Sequence, residues 1–310
     1  MPALLSCVLF CTSYEREDSR ESSFHPTEYA VGKPRIRILK EWPMQTSPRV
    51  TANTKVSIVV PAWNEEERLP SCIARLLEFT GNQTNYAWEI IICADGSTDR
   101  TLSIANEYAS KNPRVKVSYW PERLGKGGGL LHGLNSASGD VVVVTDVDLS
   151  APPDQIPRLV SPIASGLADL TLGSRNLRES IILVRAPAHR IVLGRGFNLL
   201  VRLVFHLNFR DTQCGLKAIA ADLFRDLSTN LSAKDYAFDV DLLVNAVRKG
   251  HRVLEIPVVW RYRKGSKISS LRQIAAMGRS LLVIWLQNRR ATVQTKSVHC
   301  DRLVVDKQWK

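Results

Sequence analysis

Between residues 56 and 150 the chain four times drives an apolar, mostly β-branched run into a short polar segment and then into helical spacing. Val56–Val60 ends at Pro61-Ala62-Trp63-Asn64-Glu65-Glu66, and Trp88–Cys93 ends at Ala94-Asp95-Gly96-Ser97-Thr98-Asp99. Val115–Tyr119 leads to Arg123-Leu124-Gly125-Lys126-Gly127-Gly128-Gly129, and Val141–Val144 leads to Thr145-Asp146-Val147-Asp148-Leu149-Ser150. Apolar runs that short read as strands buried on both faces. Strands alternating with helices predict an α/β fold, a mostly parallel central sheet flanked by helices. Open sheets of this kind bind ligands beyond the carboxyl ends of their strands, so the four polar segments should converge on one crevice.

The residue types in those segments limit the chemistry. If the backbone stays extended past Val144, Asp146 and Asp148 leave the same face, with the Ser150 hydroxyl on that side too. Such an oxygen set suits Mg²⁺ or Mn²⁺, which keep coordination positions open for phosphate. Glu65 and Asp95 can accept hydrogen bonds from a uracil or guanine edge and from ribose hydroxyls. Lys126 supplies a cation among glycines that permit close approach to a base or phosphate. Residues 125–129 read as a glycine loop before a helix near 130–137, and Asn64 reads as the cap of a helix beginning near Glu65. The glycine run departs from the Walker pattern, because Lys126 precedes most of the glycines and no Ser or Thr follows. It departs from the dinucleotide fingerprint as well. An Asp-x-Asp without either loop suits a nucleotide-sugar site, where a metal bridges a diphosphate leaving group.

Charge and composition narrow the partners. The net charge of +12 over 310 residues points to an anionic partner. The acids gather at strand ends and no nucleic-acid-binding motif is present, so phosphorylated substrate or membrane surface is expected in preference to nucleic acid. A basic binding module without enzymatic activity is the weaker alternative. Six scattered cysteines without a CxxC pair predict free thiols in a reducing compartment and no zinc cluster. Residues 1–52 read as a loosely ordered extension, 53–267 as the catalytic domain, 268–290 as an amphipathic helix suited to a membrane interface, and 291–310 as a tail without assigned fold. A second apolar helix with flanking arginines is predicted over 194–208. No run reaches the length of a membrane span, which predicts a cytoplasmic protein, peripheral on the cytoplasmic face of a membrane.

Taken in order, residues 56–66, Asp-Gly-Ser-Thr-Asp (95–99), Gly-Lys-Gly-Gly (125–128) and Asp-Val-Asp (146–148) resemble the family 2 inverting glycosyltransferases. Gly-Ser-Arg (173–175), Asp-Thr-Gln-Cys-Gly-Leu-Lys (211–217), Phe-Asp-Val-Asp-Leu-Leu (238–243) and Gly-Ser-Lys (265–267) are similar to the dolichyl-phosphate β-glucosyltransferase branch. The resemblance covers roughly residues 55–290. It implies a glycosyltransferase A-type nucleotide-sugar fold, Mg²⁺ or Mn²⁺, UDP-glucose as donor and a polyprenyl or dolichyl phosphate as acceptor. By the same resemblance, Pro61, Ala62, Glu65, Asp95 and Lys126 hold the nucleotide. Asp146, Val147 and Asp148 meet ribose and metal, and Ser150 is a further metal ligand. Asp211, Gln213 and Asp239 face the sugar, and Arg175, Arg195 and Lys267 meet the acceptor phosphate. Two positions depart from the family pattern: Ala94 stands where an acid is usual, and Val147, in place of alanine, is expected to crowd the ribose. GDP-mannose as donor, or a hydroxyl acceptor deprotonated by Asp239 or Asp211, are the alternatives within the fold.

Overall fold

The structure is a computed structural model that describes residues 54–263 and 271–288, with the side chains of 271–274 outside the description. Lys267 and the segments 1–53 and 289–310 therefore lie outside the described residues. At the centre is a seven-stranded sheet of order β3-β2-β1-β4-β7-β5-β8. Its first half is the predicted one: β1 (Lys55–Ala62), β2 (Ala87–Asp95), β3 (Val115–Trp120) and β4 (Val141–Val144), all parallel. Val56, Ile58, Val59, Val60, Ile90 and Ile92 have almost no exposed surface, which is why these strands carry apolar residues without alternation. The helix α1 (Leu69–Asn82) covers one face with Leu69, Cys72, Ile73, Leu76 and Thr80, the spacing of a single helical stripe. α2 (Thr101–Lys111) and α3 (Lys126–Ser136) complete the packing around β2 and β3.

In the second half a single strand reverses direction. After α4 (Ile156–Ala164) and β5 (Leu170–Ser174) comes β6 (Ile181–Val184), which pairs with β9 (Val259–Arg261) in a separate two-stranded sheet. α5 (Ala188–Phe205) then leads to β7 (Lys217–Ala220), inserted antiparallel between β4 and β5. α6 (Ala221–Leu227), α7 (Phe238–Arg248), β8 (Val253–Pro257), β9 and α8 (Leu271–Asn288) complete the described chain. β8 pairs parallel with β5, so β7 is antiparallel to both of its neighbours in an otherwise parallel sheet.

Several local expectations are corrected. β4 stops at Val144, and Asp146–Leu149 closes as a turn with the Leu149 amide donating to the Asp146 carbonyl at 3.0 Å. Leu149 takes φ 46°, a left-handed conformation accepted while its side chain is buried. Turn geometry, rather than extended chain, brings the two carboxylates to one side. The glycines 127–129 are the first turn of α3 rather than a loop. A Cβ at Gly127 would come within 2.4 Å of the Ala233 carbonyl oxygen, and one at Gly128 within 2.5 Å of Leu124, so α3 can enter this tightly only on glycine. Asn64 is not the cap of α1, which begins at Leu69; its side chain exchanges hydrogen bonds with Thr98, and its amide donates to the Ser97 hydroxyl. β6, β7 and α6 were not anticipated.

Candidate active site

Three strand ends and one returning loop build the site. Asp95, at the end of β2 and 5% exposed, accepts from the amides of Leu124 (2.7 Å) and Gly125 (3.0 Å). It thus fixes the loop that opens α3, and α3 in turn delivers Lys126. The Lys126 ammonium lies 3.0 Å from Asp146 Oδ1 and 5.7 Å from the centre of the Tyr236 ring. Burial disfavours the charged ammonium, but Asp146 and Asp239 outweigh it and raise its pKa. Asp146 is the complement. Burial would raise its carboxyl, yet Lys126, Lys217 and Arg175 hold it below the ordinary range.

Asp148 has the opposite balance. Burial and the neighbouring Asp146 charge both raise its pKa, against hydrogen bonds from Ser150, whose amide donates to Asp148 Oδ1 at 2.9 Å. Ser150 thus supports Asp148 through both amide and hydroxyl. Two adjacent carboxylates, one neutralised and one in excess, form an oxygen donor set that suits a hard divalent cation and leaves most positions for diphosphate oxygens. No group of three or more His, Cys, Asp or Glu side chains able to hold a metal occurs among the described residues, so phosphate would have to complete the shell. The loop over Asp146 is built for closeness. A Cβ at Gly215 would stand 1.9 Å from Asp146 Oδ2. Val147, expected to press on the ribose, is instead 6% exposed and packed in the core.

The residues expected to face a sugar divide. Asp239 pairs with Lys217, Nζ to Oδ1 3.0 Å, with side chains only 9% and 2% exposed. Lys217 also donates to the Cys214 carbonyl and is the bulkiest fully buried side chain among the described residues. Asp211, 2% exposed, grips Arg175 with two parallel bonds of 2.7 and 2.9 Å and also accepts from the Arg175 amide at 2.9 Å. Its own amide is held by Glu255. Burial would raise the Asp211 carboxyl, but Arg175 keeps it low. Gln213 is half-buried between these pairs in sequence, its amide donating to Asp211. Glu65 is likewise engaged, bidentate with Arg68 at 2.7 and 2.8 Å. Pro61 and Ala62 lie at the end of β1, with Ala62 beside Ala94.

Beyond Arg175 opens a cleft of about 600 Å³ lined by Arg175, Arg195, Arg202 and Arg210 together with Asn198 and Asn208. Arg175 and Arg195 are thus brought together as expected, and Lys267 falls outside the described residues. Sequence reasoning gave no site role to Lys217 or Tyr236 near the acidic turn, nor to Arg202 and Arg210 on the outer side of the cleft, although Arg202 was noted with Arg195 on the flank of the predicted helix. Lys217 had a signal as the last residue of the 211–217 motif.

The Glycosyl transferase family 2 profile matches residues 57–228, over half of the chain. The chain belongs to glycosyltransferase family 2. Among its relatives, the dolichyl-phosphate beta-glucosyltransferase of Drosophila melanogaster is 34% identical over 258 residues, covering 78% of this chain and 79% of that protein. The human protein of that name is 31% identical, covering 75% of each chain. Glycosyltransferase AglD of Haloferax volcanii is 33% identical over 76% of this chain, which spans only 38% of that longer protein. Among solved structures, glucosyl-3-phosphoglycerate synthase from Mycobacterium tuberculosis, in complex with Mn²⁺, UDP and phosphoglyceric acid, superposes with a TM-score of 0.56. It is 24% identical and covers 78% of this chain and 80% of its own, a likeness of fold. This glycosyltransferase therefore carries its family's mostly parallel sheet, with the acid-bearing turn at the carboxyl ends of the strands.

Proposed function

We propose that this glycosyltransferase moves glucose from UDP-glucose to a polyprenyl or dolichyl phosphate with inversion at the anomeric carbon, assisted by Mg²⁺ or Mn²⁺. The observation that carries the reading is the position of Arg175. Its charge acts on Asp146 in the donor site, and its side chain lines the arginine cleft. One residue thus joins the acidic turn to the basic wall of the cleft. The dolichyl-phosphate beta-glucosyltransferases among its relatives support the acceptor, and the UDP bound in the structural neighbour supports the donor.

The chemistry follows from charge. A lipid phosphate is already ionised near neutral pH and needs no strong base. Both carboxylates that a hydroxyl acceptor would call on are committed, Asp239 to Lys217 and Asp211 to Arg175, which favours phosphate. Asp148 and Asp146 would hold the divalent cation, which when bound neutralises charge building on the departing diphosphate. Lys126 adds a fixed positive charge on that side, and Arg175, pre-oriented by Asp211, steadies the incoming phosphate. α5 and α8 support a bilayer location. Val192, Leu193, Leu199, Leu200 and Leu203 on α5, and Leu282, Val283, Trp285 and Leu286 on α8, are exposed apolar residues on two packed helices. No helix among the described residues is long and apolar enough to cross a membrane. Attachment to the cytoplasmic face would therefore be peripheral as far as these residues go.

The test is transfer of labelled sugar into an organic-extractable lipid, from UDP-glucose and GDP-mannose in parallel, with polyprenyl phosphate and Mn²⁺. The reading requires label from UDP-glucose, sensitivity to chelator, and a loss of about a hundredfold or more in Arg175→Gln. Label from GDP-mannose alone overturns the donor, and transfer undiminished in Arg175→Gln overturns the acceptor site.

A further inference from the structure

The arginine cleft holds more positive charge than one acceptor phosphate needs. Of its four arginines, only Arg175 is ion-paired with a carboxylate among the described residues. Arg202 reaches only the Asn208 side-chain oxygen, at 3.4 Å, and neither Arg195 nor Arg210 has a side-chain partner among the described residues. Like charges gathered around one cleft repel, and anions between them relieve that repulsion.

The cleft is also built rather than incidental. Arg195, Asn198, Leu199 and Arg202 recur at helical spacing along one face of α5. Asn198 bonds the carbonyls of Phe209 and Arg210 and accepts from Thr212, stitching the following loop onto the helix. The Arg210 backbone is clamped three ways: its amide to Glu255, and its carbonyl to both Asn176 and Asn198. Its exposed guanidinium therefore projects from a fixed base. Seven residues of helix separate Arg195 from Arg202, roughly 10 Å along the axis. That distance exceeds the reach of one phosphate and accommodates two side by side. Beside this row lie the exposed Leu200 and Leu203, which face whatever apolar phase the helix meets.

We infer that Arg202 and Arg210 form an outer anion subsite for the phosphate of an anionic phospholipid, next to the inner position at Arg175 and Arg195. The inference rests on the lipid-phosphate reading above and adds a second ligand to it. The outer phosphate would be a neighbouring bilayer lipid that takes no part in transfer and holds the mouth of the cleft against the membrane.

The test compares flotation of the full chain with vesicles of phosphatidylcholine, with and without a minor fraction of phosphatidylserine. Arg202→Gln/Arg210→Gln is set against Arg114→Gln/Arg225→Gln, a pair that removes the same charge from elsewhere on the surface. Nucleotide binding and melting temperature check that each variant is folded. At about fivefold per arginine near an anionic surface, the cleft pair should weaken binding to phosphatidylserine vesicles about thirtyfold, and the control pair far less. Transfer to detergent-dispersed polyprenyl phosphate should survive in the cleft pair. Equal flotation of the two pairs overturns the subsite whatever the transfer assay gives. Loss of transfer in detergent by the cleft pair overturns it too, since Arg202 and Arg210 would then belong to the acceptor position. Inorganic phosphate that abolishes flotation at low millimolar concentration would reassign the subsite to a soluble anion. Wild type that transfers in detergent without preferring phosphatidylserine vesicles keeps the enzyme and removes the subsite.

Discussion

The two ends of the central strands carry acidic clusters with opposite character. At the amino end, Glu89 on β2 accepts from Ser57 on β1 at 2.5 Å, from the Ser138 amide and hydroxyl at 2.8 Å, and from Lys116 at 2.6 Å. Its neighbour Ser57 in turn accepts from the Gly139 amide. Burial would raise the Glu89 carboxyl, but these donors bring it from the ordinary 4.5 down to about 2. At the carboxyl end, Asp148 sits beside Asp146 with its pKa raised by burial and by that neighbour. A carboxylate whose donors are complete secures the scaffold. One left short of positive charge is a place where a ligand completes the structure.

Lys217 breaks this division, because it lies at the catalytic end yet is saturated like Glu89. Lys217→Met should therefore destabilise the fold by about 3–5 kcal/mol, by leaving Asp239 buried and unpaired. Lys217→Met/Asp239→Leu should recover most of that in denaturant unfolding, and a double variant as unstable as the single would mean that the pair matters for more than its charges.

Asp148→Asn should cut sugar transfer about a hundred- to a thousandfold with a melting temperature unchanged or slightly higher. The sign follows from the raised pKa: ionising Asp148 at neutral pH costs the folded state free energy, and asparagine removes that cost. Glu89→Gln should do the reverse, losing about 3 kcal/mol of stability near neutral pH with kcat unaltered per folded molecule. Because the Glu89 pKa is depressed, its contribution is present above about pH 4.5 and fades as pH falls towards about 2, so wild type and Glu89→Gln should converge in acid unfolding. The smallest effect is expected of Ser57→Ala, about 1–2 kcal/mol, since Glu89 keeps its other donors while the Gly139 amide loses its acceptor.

The first half of the sheet could be read from the chain, because β1, β2 and β4 each carry a run of consecutive buried apolar residues, Ile58–Val60, Ile90–Cys93 and Val141–Val144. The one reversed strand, β7, could not. Lys217–Ala220 opens with a buried lysine and offers two alanines, so neither β-propensity nor alternation marks it, and only its insertion between β4 and β5 makes it a strand. Among the candidate site residues, Lys126, Asp146, Asp148 and Arg175 were singled out from motifs and Arg195 from the resemblance; the first three lie at the acidic turn and the two arginines line the cleft. The assignment of Asp211 and Asp239 to the sugar did not anticipate their partners. A sequence shows that an acid is present but not which cation, brought from a distant strand or helix, will meet it. Arg202, noted only as a flanking arginine of the predicted helix, and Arg210, in the loop after it, were given no site role for a related reason: both look like solvated charge until that loop folds back and closes a cleft around them.

The central claim is that the undercompensated carboxylate at the strand ends is where cation and nucleotide meet. Calorimetric titration of UDP with and without Mn²⁺, into wild type, Asp148→Asn and Glu89→Gln, tests it most directly. Mn²⁺ should tighten UDP binding to wild type and to Glu89→Gln and leave Asp148→Asn unmoved. Equal tightening in Asp148→Asn would contradict the account.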